Sequence, residues 1–111
     1  MFIEERRRSE RFKFGVPLII QWTHGPEQRQ AHAVTQDLSS GGVYFLLPEA
    51  IPEGTVVEIE MTLPTQITFG TPVRMRCLGH IRRCVQKPGE PTGIATMIEK
   101  YDFLSGIEGV A

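Results

Sequence analysis

Apolar residues recur at every second position over several short segments, and this alternation constrains the fold more than any other feature of the chain. In the first such segment, six apolar residues recur at every second position: Phe12, Phe14, Val16, Leu18, Ile20 and Trp22. A period of two is typical of a β-strand with one buried face. Pro17 on the other face predicts an edge position or a β-bulge, because proline cannot donate a hydrogen bond to a neighbouring strand.

Further strand-like segments follow, separated by turns rich in glycine and proline. We predict these strands over residues 28–36, 43–47, 57–63, 73–85 and 92–99. The pair Arg82-Arg83 breaks the alternation and predicts a bulge between Leu78 and Arg83, and Tyr101–Leu104 could begin a short helix. Six or seven strands with no long helical period between them predict an all-β fold, an antiparallel barrel or sandwich.

Length and charge limit the domain count and the class of function. A chain of 111 residues can form one domain but not two. Its net charge of −1 provides no overall basic field to attract nucleic acid. No apolar run approaches the ~20 residues of a transmembrane helix. The N-terminal apolar residues precede the charged ones, the reverse of a signal peptide, so we expect a cytoplasmic protein.

The residue types that usually carry catalysis or bind metals show no recognisable pattern. Cys77 and Cys84 are the only cysteines, and without an export signal we expect free thiols. On one continuous strand, their odd separation would direct them to opposite faces. The three histidines are far apart and none is at metal-ligand spacing from a cysteine. With no nucleophile elbow, P-loop or dinucleotide motif either, we expect no enzyme activity, metal or cofactor.

Two polar segments could together form a binding site. Residues 6–11 contain four arginines directly before the first strand, and residues 37–42 form a turn with small side chains and open backbone N–H groups. Alone, the first could be a solvated surface and the second an ordinary tight turn. Arginine suits phosphates and flat rings, whereas the Asp37 carboxylate suits the N–H donors of a guanine edge. A compact guanine nucleotide would use both segments, while a nucleic acid polymer would gain nothing from the acid.

The two segments resemble the two motifs of PilZ domains, the bacterial receptors for the second messenger cyclic di-GMP. The family motifs are Arg-x-x-x-Arg, often preceded by another arginine, and Asp/Asn-x-Ser-x-x-Gly. Here they read Arg6-Arg7-Arg8-Ser9-Glu10-Arg11 and Asp37-Leu38-Ser39-Ser40-Gly41-Gly42. Their order and separation, with the second motif between strands two and three, also match the family.

The resemblance extends from Glu5 to Phe103 and includes a closing segment, Gly93-Ile94-Ala95. It implies a six-stranded antiparallel β-barrel with, in this chain, at most a short C-terminal helix. We therefore expect a flexible arginine-rich leader over residues 1–11, a barrel over residues 12–104 and a frayed tail over residues 105–111.

The resemblance also implies roles for single residues. Arg7 and Arg11 match the motif arginines, which are expected to grip phosphates and guanine faces. Asp37 and Ser39 match the polar pair that faces a guanine and its phosphate. Gly42 matches the glycine that lets the loop turn close to the ligand.

Arg6 precedes the first motif arginine, and in PilZ domains a basic residue there tends to accompany an intercalated cyclic di-GMP dimer. Arg8 has no role in the motif. Because the leader lies outside the predicted barrel, we expect the dianionic ligand to draw it down and order it. This single-domain receptor or adaptor would then offer a new surface to a protein partner in trans. The sequence leaves open whether the chain forms a homodimer.

Two alternatives to a cyclic di-GMP receptor follow from the same residues. The first is a PilZ-like protein-interaction module that binds no nucleotide. The second is a small nucleic-acid-binding barrel whose basic stripe would consist of Arg74, Arg76, Arg82 and Arg83.

Overall fold

The computed structural model describes residues 15–104. In this part of the chain, six antiparallel strands form a closed barrel in the spatial order β1-β2-β3-β6-β5-β4. The strands are β1 (Pro17–His24), β2 (Glu27–Ser39), β3 (Gly42–Leu47), β4 (Val56–Leu63), β5 (Val73–Val85) and β6 (Thr92–Phe103). One helical turn, α1 (Thr65–Thr68), lies in the connection from β4 to β5 and was not predicted. The predicted six-stranded antiparallel barrel is confirmed.

The inward faces of the strands form a single core, as the alternation predicted. In β4, Val57, Ile59 and Met61 are buried, whereas Glu58 and Glu60 are half-buried on the outer face. The other buried apolar side chains are Val16, Leu18, Ile20, Trp22, Leu38, Val43, Phe45, Leu47, Ile51, Met75, Cys77, Ile81 and Ile94. This division between inside and outside sets the register, because a slip of one residue would turn each apolar set outward. Phe12 and Phe14 lie outside the described residues.

Pro17 occupies neither a sheet edge nor a bulge, so that prediction was wrong. The barrel is closed, and Pro17 is the first residue of β1, where it pairs with Val34 of β2. Pairing between β1 and β4 begins one residue later, at Leu18. The first position of a strand tolerates proline because the missing N–H removes no bond from the interior of the ladder.

Residues 101–103 continue β6 as a strand, so the predicted start of a helix at Tyr101 was wrong. Tyr101 pairs with Cys77 and Phe103 with Met75, and the Leu104 amide donates to the Arg74 carbonyl at 2.8 Å. Residues Val73–Leu78 of β5 pair with β4 on one side, so their backbone groups on the other side need a partner. Aromatic residues favour the extended conformation, and β6 supplies that partner.

The predicted bulge in β5 is confirmed, and it changes the orientation of the cysteines. The register with β6 shifts between Leu78 and Gly79 and again between Ile81 and Arg83. The second shift leaves an extra residue in β5 and reverses the alternation beyond it. Cys77 is buried and Cys84 is half-buried against the same core, so the two thiols do not face opposite sides. Both are free thiols, as predicted.

Candidate ligand-binding site

Residues Asp37–Gly42 form a tight hairpin rather than a longer loop. Strand β2 continues through Asp37 as far as Ser39, which pairs with Gly42 across the two turn residues Ser40 and Gly41. The predicted strand ended at Gln36, one residue before Asp37. Because Asp37 and Ser39 belong to a strand, the hydrogen bonds of the barrel hold their backbone in place.

A β-bulge at Gln36 turns Asp37 to the outer face of the barrel. Thr35 pairs with Phe45 but Asp37 pairs with Tyr44, so Gln36 is an extra residue in β2. In an unbroken strand Asp37 would share the inward face of Thr35, which is only 2% exposed. A bulge redirects the side chains that follow it, and here it leaves Asp37 and Ser39 half-exposed.

Thr35 also determines where the chain reaches the barrel from its N-terminal side. The Val16 amide donates to Thr35 Oγ1 at 2.9 Å, and the Thr35 amide donates to the Val16 carbonyl at 3.0 Å. Arg6, Arg7 and Arg11 lie outside the described residues.

Gly42 allows β3 to approach β6 closely. A Cβ on Gly42 would lie 2.9 Å from the carbonyl oxygen of Thr96, whereas a Cβ on Gly41 would meet nothing within 4 Å. Neither glycine has a positive φ angle. The Gly41 carbonyl accepts a hydrogen bond from the Ile98 amide at 3.0 Å, which joins the hairpin to β6. Gly42 therefore has a packing role, whatever its role toward a ligand.

Asp37, Ser39 and Gly42 line one pocket of about 270 Å³ on the outer face of the barrel. The other lining residues come from β3, β5, β6 and the hairpin: Gly41, Val43, Tyr44, Arg82, Ala95, Thr96 and Met97. The structure thus brings together the three predicted residues of the second motif. A larger pocket of about 530 Å³ lies on the outer face of β1, β2 and β4. Among residues 15–104, no motif residue lines this pocket, and the one arginine that does, Arg74, is paired with Glu60.

Arg82 reaches the same pocket through the bulge in β5. Ile81 pairs with Thr96 and Arg83 with Ala95, which leaves Arg82 as the extra residue between them. Arg82 forms no ion pair with any residue in the described range, so its guanidinium is available to an anion. The broken alternation predicted this bulge, but nothing in the sequence related Arg82 to Asp37, 45 positions earlier.

Tyr44 separates this pocket from a second one. Its ring lies over Gly93 of β6, where an added Cβ would collide with the hydroxyl group and lie 2.9 Å from Cζ. The second pocket, of about 410 Å³, lies beyond the ring and includes Arg83 and Lys87. The two pockets share Tyr44 and Ala95. A flat aromatic ring thus lies between two cavities that each contain an arginine.

The family model described as PilZ domain matches residues 5–102. The chain belongs to the PilZ domain family. The matched region contains both polar motifs and nearly all of the barrel, including the bulges at Gln36 and Arg82. PilZ domains are receptor and adaptor modules for cyclic di-GMP.

The fold is shared with a solved structure of low sequence identity. The inhibitor of motility MotI/DgrA from Bacillus subtilis is similar to this PilZ domain with a TM-score of 0.67 over 90% of the chain, at 16% sequence identity. The chain spans 44% of the length of that protein. At this identity the similarity shows the fold alone. No match was found among curated protein sequences.

The four arginines of the alternative basic stripe do not form one cationic surface on this PilZ barrel. Arg76 Nε lies 2.8 Å from Glu58, and Arg74 Nη2 lies 3.5 Å from Glu60. These pairs neutralise the outer face of β4 and β5. Arg82 and Arg83 have no ion pair among residues 15–104, and they lie beyond the register shift. Two of the four arginines of that stripe are therefore paired with glutamates.

Within residues 15–104, no three histidine, cysteine, aspartate or glutamate side chains lie close enough together to hold a metal ion. The helix in this range is also too short to cross a membrane.

Proposed function

We propose that this PilZ domain binds cyclic di-GMP at the pocket of Asp37 and acts as a cytoplasmic receptor or adaptor. The observation that carries the proposal is the convergence of Asp37, Ser39 and Arg82 on one pocket, beside the point where Val16 joins the barrel. A carboxylate, a hydroxyl and a guanidinium are the groups that a guanine nucleotide requires. The leader that carries Arg7 and Arg11 precedes Val16 in the chain, and Val16 bonds to Thr35, two residues before Asp37.

Each side chain has a distinct task in the proposed complex. The Asp37 carboxylate accepts the N–H donors of one guanine edge, and the Ser39 hydroxyl bonds to a phosphate. Arg7 and Arg11 grip phosphates and cover guanine faces from the leader. Arg82 contributes a cation from the barrel itself, so the anionic ligand is held between a fixed arginine and the arginines of the leader.

The adjoining pocket supports a ligand larger than one guanine. Small-molecule sites usually measure ~300–1,000 Å³, and the pocket of Asp37, at about 270 Å³, lies just below that range. The pocket of Arg83 extends the surface beyond the Tyr44 ring. Together they could receive the intercalated cyclic di-GMP dimer, with Arg6 as the leader residue that favours this form.

The proposed signal is the ordering of residues 1–11 against the barrel. The ligand stabilises this arrangement because its phosphates contact leader and barrel at the same time. The covered surface then differs from the free one, and a protein partner in trans recognises the difference.

Isothermal titration of the full chain with cyclic di-GMP tests the proposal and gives the stoichiometry. We expect saturable binding that Asp37→Ala abolishes. Asp102→Ala should leave binding unchanged, because this substitution removes the same charge at a position outside the pocket. Two ligands per chain would indicate the dimer, and Arg6→Ala should then reduce the number to one. A folded chain that shows no heat of binding would instead favour the interaction module that binds no nucleotide.

A further inference from the structure

Strand β2 is longer than its neighbour β3, so part of one side of β2 has no partner strand. β2 pairs with β1 along its first eight residues, but its pairing with β3 begins only at Thr35, opposite Phe45. Beyond that pair β3 ends at Leu47, and the chain enters the connection to β4. The first half of β2 therefore has an open edge in an otherwise closed barrel, and we call residues 27–33 the β2 edge.

The backbone groups of three residues in the β2 edge point away from β1. The Thr35 amide donates to the Val16 carbonyl at 3.0 Å, so the backbone groups of Thr35 face β1. Because this direction alternates along a strand, the backbone groups of Gln28, Gln30 and His32 face the other side. In the described part of the chain they form no backbone hydrogen bond on that side, and all three side chains are exposed. A row of unpaired backbone groups of this kind can accept another strand.

The β2 edge lacks the features that commonly protect such edges. It contains no proline and no lysine, and its register with β1 is unbroken. The guanidinium of Arg29 is 3.7 Å from the carboxylate of Glu27 and 3.8 Å from that of Glu49. Two small side chains, Ala31 and Ala33, follow Arg29 on the same face. A second strand can therefore approach the edge without meeting an unpaired cation.

The β2 edge lies away from both limits of the described chain. At the N-terminal limit, Val16 bonds to Thr35 from the β1 side of β2, whereas the β2 edge faces the other side. At the C-terminal limit, Leu104 bonds to Arg74 of β5, which is three strands from β2 in either direction around the barrel. The edge and its pairing are thus defined by described residues throughout.

We propose that the β2 edges of two copies of this chain pair antiparallel about a two-fold axis at Gln30. In this register Gln30 faces Gln30 of the second copy, Gln28 faces His32, and Arg29 faces Ala31. No like charges lie opposite each other, and the long arginine side chain lies opposite a small one. The outward backbone groups of all three exposed residues then have partners, as in other cases of strand addition.

Other symmetric registers satisfy the edge less well. An axis at Arg29 would place two arginines directly opposite each other, which is unfavourable. An axis at Gln28 or at His32 would carry one end of the edge past the end of its twin and leave backbone groups unpaired. The register at Gln30 is therefore the one that uses the whole edge.

The side chain of Gln30 favours a second copy over a foreign strand. Its Oε1 accepts a hydrogen bond from Gln21 Nε2 at 3.1 Å, which leaves its own Nε2 as a donor toward the axis. An amide carries both donors and an acceptor, so two Gln30 side chains complete each other across a two-fold axis. The charged residues of the edge, Glu27 and Arg29, pair with each other and so provide little to select a foreign strand.

The proposed dimer leaves the two candidate ligand sites apart. Asp37 lies beyond the β2 edge on the same strand, so antiparallel pairing puts the two Asp37 hairpins at opposite ends of the joined strands. The inference concerns the association of chains and does not rest on the proposed ligand.

Sedimentation equilibrium of the full chain, without nucleotide, tests the proposal. We expect a monomer–dimer equilibrium that Gln30→Lys and Gln30→Glu each weaken by about tenfold or more, because like charges then meet at the axis. An equal mixture of the two variants should restore the dimer as a heterodimer, which a misfolded variant could not do. Gln86→Lys and Gln86→Glu are the matched controls, since Gln86 is an exposed glutamine outside the strands, and both should leave the equilibrium unchanged.

A disulfide at the axis tests the register. Directly opposed residues of a hydrogen-bonded antiparallel pair have Cα atoms about 5.5 Å apart, which suits a disulfide. In a chain carrying Cys84→Ser, Gln30→Cys should therefore give a covalent dimer under mild oxidation, whereas Gln86→Cys should stay monomeric.

Three results would overturn the proposal. They are a chain that is monomeric at every concentration, a mixture of the two Gln30 variants that does not associate, and cross-linking that is as fast at Gln86 as at Gln30. Because no nucleotide is present, none of these results bears on cyclic di-GMP binding, which the titration measures separately.

Discussion

The ring of Tyr44 lies across Gly93 and occupies the space that a side chain at position 93 would need. The two residues are not direct partners, because Tyr44 pairs with Ala95 and Gly93 pairs with Leu46. The contact is therefore a diagonal one between β3 and β6. It holds the ring against the barrel wall between the two pockets, which gives a physical reason for the glycine of the closing segment Gly93-Ile94-Ala95.

Gly93→Ala should destabilise the barrel by about 1–3 kcal/mol, the usual cost of forcing an extra methyl group into a packed contact. Urea denaturation would measure the loss. Combining Gly93→Ala with Tyr44→Ala should recover part of it, because the truncated side chain leaves room for the new Cβ. Gly41→Ala is the matched control, since its Cβ would meet nothing within 4 Å. If the costs at Gly93 and Tyr44 simply added, the diagonal contact would not explain the glycine.

Arg7→Ala and Arg11→Ala should each weaken cyclic di-GMP binding by more than tenfold, since a charge-assisted hydrogen bond contributes ~1.5–3 kcal/mol. Titration calorimetry would measure the two affinities. Arg8→Ala removes the same charge from the leader without removing a motif residue, and we expect a smaller loss. Unchanged affinity in both motif variants would contradict the assignment of the leader to the site.

Arg82→Ala should lower the affinity for cyclic di-GMP by about tenfold, because the pocket would lose its barrel cation and a contact of ~1.5 kcal/mol. Arg76→Ala is the control for net charge. Its guanidinium is paired with Glu58 outside the pocket, and exposed pairs of this kind contribute little. Equal losses in the two variants would mean that Arg82 acts only through the overall charge of the domain.

Stability should decrease at alkaline pH because of Cys77. Burial raises the pKa of this thiol from its ordinary value of 9.0 to about 11. The folded state therefore holds the proton more tightly than the unfolded state. The contribution of the protonated Cys77 thiol to stability is complete below pH 9 and is lost as the pH rises towards 11. This loss lowers the free energy of unfolding by about 2–3 kcal/mol.

Denaturation of Cys77→Ala and Cys84→Ala between pH 8 and 11 would isolate this contribution (a pH range chosen to bracket the titration). Cys77→Ala should show the flatter pH profile, although its cavity lowers stability at every pH. Cys84→Ala should keep the slope of the unmodified protein. Parallel slopes in all three proteins would show that the buried thiol is not the cause.

Much of the fold was readable from local pattern. The alternation in β1 and β4 is a property of neighbouring residues, and it predicted the buried faces because each strand has one solvent-exposed side. The two polar motifs could be recognised for the same reason, since each is contiguous. The pair Arg82-Arg83 likewise marked a bulge by breaking a local period.

The orientation of the site residues depended on pairing between distant strands. No local signal marked Gln36 as an extra residue, because a bulge exists only relative to the partner strand that it fails to match. The same reason explains why the parity of Cys77 and Cys84 was misjudged and why Tyr101–Phe103 forms strand instead of helix. In each case the outcome depended on pairing with a neighbouring strand, which the segment itself does not encode.

The sequence by itself therefore determined that the chain forms an antiparallel β-barrel of the PilZ family, and it determined which two segments carry the family motifs. Only the tertiary structure decided that Asp37 and Ser39 point outward, that Arg82 joins their pocket and that Tyr44 lies over Gly93. The physical reason is that strand alternation is set within a segment, whereas register, bulges and diagonal contacts arise only when the barrel closes.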